Sequence, residues 1–203
     1  MTVAPGTHAF YDDWAVHGVE NPRSAISREF ASAFAPGSRV LDVGCGKGRD
    51  VVALLDMGFD AYGVEPNHAM RTHALARDPR VAGRIAAASL PDLGLPFGGG
   101  FDALVCSAVL MHLAGSALPA SLAALTAVLK PAARVLMALP EMQQHLLVDG
   151  HDQDGRQFEN HDPAHVQELM AALGFTLARR DDMDAPAADT RWRVLLFSGS
   201  SAI

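Results

Sequence analysis

The chain has only two cysteines in 203 residues, Cys45 and Cys106. Cys45 stands in a glycine-rich stretch and Cys106 in an apolar run, so both read as small packing residues with free thiols in a reducing compartment, and a disulfide framework is excluded. No run of about 18 apolar residues occurs, which argues against a membrane-spanning helix. The opening residues, Met1 to Gly6, lack a basic segment followed by an apolar one, so no export signal is expected and the location expected is cytoplasmic. Basic residues are also in deficit: 16 Lys and Arg stand against 23 Asp and Glu, a formal net charge of −7. That balance opposes binding to a phosphate backbone and favours small or neutral substrates over nucleic acid. Nine histidines are present, and His161 and His165 stand four apart. His161, however, precedes a helix cap and no third ligand accompanies the pair at a recognisable spacing, so no metal site is expected.

What remains is an ordinary globular composition. With 49% hydrophobic and 19% charged residues the chain can bury a sizeable core, and its length suits a single domain over 1–203. Residues 1–36 read as an N-terminal helical cap, with Asn21-Pro22 as a helix start and Ile26, Phe30, Ala33 and Phe34 at helical spacing. Residues 37–203 read as the core. Strands are expected at 38–43, 60–64, 81–87, 101–106, 134–139, 175–180 and 191–198, with Pro140 ending the fifth. Helices are expected at 49–57, 67–77, about 118–129 and after the Asp162-Pro163 cap, with Gly58 and Gly174 as helix ends. Residues 90–100, rich in proline and glycine, read as an irregular loop. Alternating strands and helices predict an α/β fold, a doubly wound and mostly parallel sheet, whose ligand site lies beyond the carboxyl ends of the strands where strand order reverses.

The most informative stretch is Arg39 to Asp50, a buried strand that runs into a loop carrying Gly44, Gly46 and Gly48 and then opens a helix. Glu65 follows Gly44 by 21 positions and ends a second apolar strand, where a nucleotide-binding unit places the acid that holds a ribose. The dinucleotide fingerprint needs a third glycine at position 49, which is Arg. The G-x-G-x-G run after Asp42 instead resembles motif I of the class I S-adenosylmethionine (SAM)-dependent methyltransferases, and Val64-Glu65-Pro66 resembles their motif II. The resemblance covers residues 38–198 and implies a Rossmann-like sheet of seven strands whose last strand is antiparallel, flanked by helices. It further implies an enzyme that transfers a methyl group from SAM and releases S-adenosylhomocysteine.

On that resemblance, Gly44, Cys45, Gly46 and Gly48 form the loop under the methionine end of the cofactor. Asp42 meets its ammonium group, or alternatively caps the loop as a structural strand-end acid. Glu65 accepts hydrogen bonds from both ribose hydroxyls, with Pro66 behind it. Met70 occupies the apolar adenine position. The acid usual after the third strand is replaced by Ala87-Ala88-Ser89-Leu90, which leaves Ser89 or the Leu90 backbone for adenine and Asp92 as a rival. Tyr11 is a cofactor contact or a surface aromatic, and Arg23 a partner for the cofactor carboxylate or a solvated cation. Ser107 to Leu113 follow the fourth strand, where donor and acceptor meet in the resembled family. His112 is there the candidate for a substrate contact or general base, set against a histidine that merely caps or packs. Residues 154–158 and 190–193 are candidates for a substrate mouth, or solvated loop and strand.

The residues also carry alternatives. No Asn-Pro-Pro-Tyr or Asp-Pro-Pro-Tyr signature of amino methylation is present, and no added RNA-binding unit. Small-molecule methylation by positioning is therefore the expectation, and a tRNA or protein methyltransferase, a non-catalytic SAM-binding protein and a nucleotide-dependent oxidoreductase remain as rivals. A monomer or homodimer is expected.

Overall fold

The computed structural model describes residues 4–19, 24, 26–184 and 190–201; Arg23 and the Asn21-Pro22 helix start lie outside them. Helix α1 spans Pro5–His17 and a short α2 spans Phe30–Ala33, entered through a 3₁₀ turn at Ser27–Glu29. The core then alternates β1 (Arg39–Val43), α3 (Arg49–Asp56), β2 (Asp60–Val64), α4 (His68–Arg77), β3 (Ile85–Ala86), β4 (Phe101–Ser107), α5 (Leu118–Ala127), β5 (Leu129–Met142), α6 (Pro163–Ala172), β6 (Phe175–Asp184) and β7 (Thr190–Gly199).

These strands form one sheet in the order β3-β2-β1-β4-β5-β7-β6, with β7 antiparallel to both of its neighbours. Strand order reverses between β1 and β4, which pair in parallel. The central strands β1 and β4 and the middle of β5 are buried on both faces, and alternate residues supply two cores. Leu41, Leu104, Val135 and Phe197 pack against Leu122 of α5 and Met170 of α6. Val40, Val105, Leu136 and Leu196 pack on the other side against Leu54 of α3 and Phe30 of α2.

Local chemistry explains the boundaries. Asn67 caps α4 by accepting a hydrogen bond from Met70 N at 2.9 Å, and Asp162 caps α6 by accepting one from Ala164 N at 2.9 Å. Gly58 and Gly174 close their helices at φ 83° and 85°.

Two expectations are corrected. Pro140 does not end β5, which runs on to Met142 opposite β7, with Pro140 facing Trp192. Pairing with β4 stops at Ala138, so beyond that point β5 is an edge on one side, and an edge tolerates a residue without an N–H. The third strand shrinks from 81–87 to two residues, because Pro79–Val81 forms a 3₁₀ turn capped by Asp78.

Candidate functional site

The loop after β1 sits at the carboxyl end of the strands, beside the point where strand order reverses. Gly44 N and Cys45 N both donate to Val64 O, at 2.8 and 3.0 Å, which ties the loop to the end of β2. Gly44 has φ 72°, and a methyl group in place of its hydrogen would overlap the Val109 side chain. Only glycine satisfies both constraints.

Glu65 lies across from this loop. One carboxylate oxygen accepts from Gly46 N at 3.0 Å and the other from Asn67 N at 2.8 Å. Each oxygen retains a second lone-pair direction. Burial pushes the Glu65 carboxyl above its ordinary value, and the two amides together with Arg71 partly hold it down.

Two further acids converge nearby. Burial, reinforced by Asp50, holds Asp42 well above the usual carboxylate range. Asp50, at the start of α3, has a buried Oδ1 that accepts no hydrogen bond, and its ionic neighbour is Arg49 Nε at 3.4 Å. Buried carboxylates without full pairing are costly, and a ligand cation relieves that cost.

The cleft has two arms that meet over the glycine loop. Glu65, Pro66, Ser89, Leu90 and His112 line the more apolar arm, of about 110 Å³. Asp42, Cys45 and Ser107 line the wider arm, of about 460 Å³, together with Asp50, Arg156 and Trp192. Tyr11, Gly44, Gly46, Met70 and Ala108 line both. Ala108, directly after β4, has φ 56°, a left-handed backbone that a side chain makes costly by about 1–3 kcal/mol.

Helix α1 covers this cleft through polar and aromatic contacts. Asn67 Nδ2 donates to Asp12 Oδ1 at 2.8 Å, and Lys47 Nζ donates to Gly18 O at 2.8 Å while lying 5.7 Å from the Trp14 ring centroid. Phe10 and Trp14 stack with centroids 5.9 Å apart, and the Arg156 guanidinium lies 4.5 Å from the Phe10 centroid.

Tyr11 Oη is 2.8 Å from His112 Nε2, and His112 Nδ1 is 2.8 Å from Gln157 O. Burial lowers the His112 pKa, the hydrogen bond to Gln157 O opposes that shift and Arg156 adds to it, and the net effect favours the neutral imidazole. Burial raises the Tyr11 phenol, and Arg156 opposes that rise.

The structure thus gathers most of the residues singled out from sequence. Gly48 is an exception: it lies outside the lining of both arms, and its φ of 74° starts α3 where a side chain would press on Ala74 and Ile85. Asp92 lines neither arm. His112 lines the more apolar arm with both ring nitrogens engaged, Nε2 by Tyr11 and Nδ1 by Gln157 O. The mouth segments contribute Arg156 and Trp192.

Sequence reasoning missed Asp50, Lys47, Asn67 and the Gln157 carbonyl. Asp50 and Lys47 lay within the glycine motif and Asn67 at the start of the expected helix 67–77; a backbone carbonyl leaves no sequence signal. The two cysteines are free and buried. Among the described residues no group of three His, Cys, Asp or Glu is placed to hold a metal, and no helix is long and apolar enough to cross a membrane.

Residues 3–179 match a family model described as a methyltransferase domain. A ubiquinone biosynthesis O-methyltransferase of Xanthomonas campestris pv. campestris is 32% identical over 109 residues, 49% of this chain and 45% of the relative. The chain therefore aligns with under half the length of that relative. Among solved structures, a Burkholderia thailandensis 1,6-didemethyltoxoflavin-N1-methyltransferase, with bound 1,6-didemethyltoxoflavin and S-adenosylhomocysteine, superposes with a TM-score of 0.72 at 22% identity, covering 97% of this chain and 84% of that one. A Synechocystis magnesium protoporphyrin IX methyltransferase with bound SAM gives 0.66 at 20% identity, covering 96% and 80%.

Proposed function

The chain belongs to the methyltransferase-domain family, and from that premise we propose that it transfers a methyl group from SAM to a small-molecule acceptor, releasing S-adenosylhomocysteine. The observation that carries this reading is the placement of three buried carboxylates around a glycine loop. Glu65 stands at the apolar arm, while Asp42 and Asp50 stand at the wider one.

The residues fit such a cofactor. A buried Asp50 oxygen without a hydrogen bond and an Asp42 carboxyl raised by burial both favour a ligand that brings positive charge. The loop at Gly44 has no room for a side chain. On this reading Glu65 receives the two ribose hydroxyls, and Pro66, Met70, Ser89 and Leu90 border the adenine. Asp42 and Asp50 hold the ammonium group, with Cys45, Gly46 and Ser107 beside it. When bound, SAM supplies a methyl group already activated by its sulfonium charge. The protein's part is then to orient, to exclude water and to receive a proton. Helix α1 does the excluding, with Tyr11 at the junction of the arms. The described residues act as one domain in this reading.

The names of a relative and of a structural neighbour, a ubiquinone biosynthesis O-methyltransferase and a 1,6-didemethyltoxoflavin-N1-methyltransferase, support a small acceptor, as does the chain's acidity. The test is titration calorimetry with SAM and S-adenosylhomocysteine, followed by incubation with [methyl-³H]SAM and a small-molecule cell extract. Micromolar binding and label in a small organic product are expected. Absence of SAM binding would refute the proposal, and binding without any labelled product would identify a SAM-binding protein that does not transfer.

A further inference from the structure

We propose that Tyr11 and His112 form a proton relay that discharges the methyl acceptor, and that the acceptor is a small molecule methylated on a neutral hydroxyl. This rests on the transfer reading above.

The hydrogen bonds dictate the direction of the relay. Gln157 O is a carbonyl and only accepts, so His112 Nδ1, 2.8 Å away, carries the hydrogen. A neutral imidazole has one such hydrogen, which leaves Nε2 bare. The Tyr11 hydroxyl, 2.8 Å from Nε2, must therefore donate its proton there. Arg156 donates toward one lone pair of the Tyr11 oxygen, and the other is left for a further donor.

Tyr11 lines both arms of the cleft, at their junction. Sulfur joins the adenosyl and amino-acid halves of SAM, so the junction is where a transferable methyl group belongs.

Gln157 braces both members of the pair. Its carbonyl fixes the His112 tautomer, while its N–H donates to Thr7 Oγ1 at 2.9 Å on α1, one helical turn before Tyr11. Gln157 is thus a positioning residue acting through its backbone. Arg156 and Asp152 face the pair from the same loop, and Glu65 faces Tyr11 from β2. Asp152 holds Arg156 through Nε at 2.7 Å.

The chemistry selects the acceptor. A neutral amine attacks with its own lone pair, and a thiol with a pKa of about 8.5 is partly ionised near neutrality. A neutral hydroxyl has neither advantage and gains most from losing its proton as the new bond forms. As the O–C bond forms and the C–S bond breaks, with its electron pair left on sulfur, the hydroxyl proton passes to Tyr11 Oη. Tyr11's own proton passes to His112 Nε2. The resulting imidazolium keeps its bond to Gln157 O and later loses a proton to solvent.

The test uses full-length wild type, Tyr11→Phe and His112→Gln. First, ¹⁵N spectra of histidine-labelled, ligand-free protein should show a neutral His112 protonated at Nδ1, with Nε2 shifting in Tyr11→Phe. Second, label from [methyl-³H]SAM incubated with a small-molecule cell extract should appear in methyl ethers. Incorporation should fall by about 100-fold or more in each variant, the range of general acid–base catalysis. The acidic limb of the wild-type pH profile should vanish in Tyr11→Phe. An Nε2-protonated His112, wild-type transfer by Tyr11→Phe, or label in thioethers or N-methyl products would overturn the relay. A wild type that binds SAM and labels nothing would instead overturn the transfer reading, whatever the spectra show.

Discussion

Replacing Glu65 by alanine is the most direct perturbation of the cleft. The carboxylate accepts from Gly46 N and Asn67 N and is 8% exposed. Removing it orphans two amides, which costs about 1–3 kcal/mol each if they stay dry. The loss is moderated because burial already disfavours the ionised carboxyl and because the vacated space next to the cleft admits water. Those effects fall on free and bound protein alike. The part specific to binding is two hydrogen bonds from ribose hydroxyls to a charged acceptor, at about 1.5 kcal/mol each, or about 3 kcal/mol together. That predicts SAM affinity weaker by about 150-fold. Glu65→Gln keeps one acceptor oxygen and should lose about 30-fold, or about 2 kcal/mol. Titration calorimetry reads both, with thermal unfolding reporting the fold separately. The decisive comparison is a SAM analogue without the 2′ and 3′ hydroxyls: the two proteins should bind it equally. A Glu65→Ala protein that binds SAM within about threefold of wild type, while remaining folded, would refute the ribose role, since 3 kcal/mol cannot hide in so small a change.

Gly44→Ala combines a left-handed backbone with overlap onto Val109, so SAM binding should fall by at least about tenfold and the unfolding midpoint should drop; unchanged binding in calorimetry would contradict the close-approach argument. The pH dependence of SAM affinity follows from Asp42. Its folded pKa is raised by burial and by Asp50, and a bound cation favours the ionised form. Affinity should therefore weaken as pH falls through that raised value, with a proton released on binding, and titrations between about pH 8 and about pH 5 in buffers of different ionisation enthalpy should show it. Ligand-free protein has the opposite trend from this group: the folded state holds the proton more tightly than the unfolded chain, so stability from Asp42 rises as pH falls from its raised value toward the ordinary one. Asp42→Asn should remove this group's share of both dependences and leave the share of Glu65, whose carboxyl is also raised by burial.

The parts of this protein legible in its sequence are those whose signal is local. Strand β1, the turn at Gly44 and Gly46, and Glu65 at the end of β2 are set by short-range rules of burial and backbone freedom, and the structure joins them in one hydrogen-bonded unit. The helix cap at Asp162 was readable for the same reason. Pro140 misled because a proline's effect depends on which strand edge is open, a property of the assembled sheet. Tyr11 and His112 stand 101 residues apart, and nothing in either neighbourhood announces the other. Their brace is a carbonyl, the group every residue shares. Helix α1 was blurred into a longer helical segment because it meets the cleft through polar and aromatic groups rather than through an apolar stripe.

The chain has two tryptophans, and Trp14 and Trp192 both line the wider arm, one on the helix that covers the cleft and one on β7. Excitation near 295 nm therefore illuminates a single place in this molecule. Emission from these two indoles is an internal gauge of whatever enters that arm, and because one indole rides on α1 and the other on the sheet, energy exchange between them reports the separation of the two walls. Ligand entry and helix movement can be timed in the unmodified protein, with no dye attached and no residue replaced.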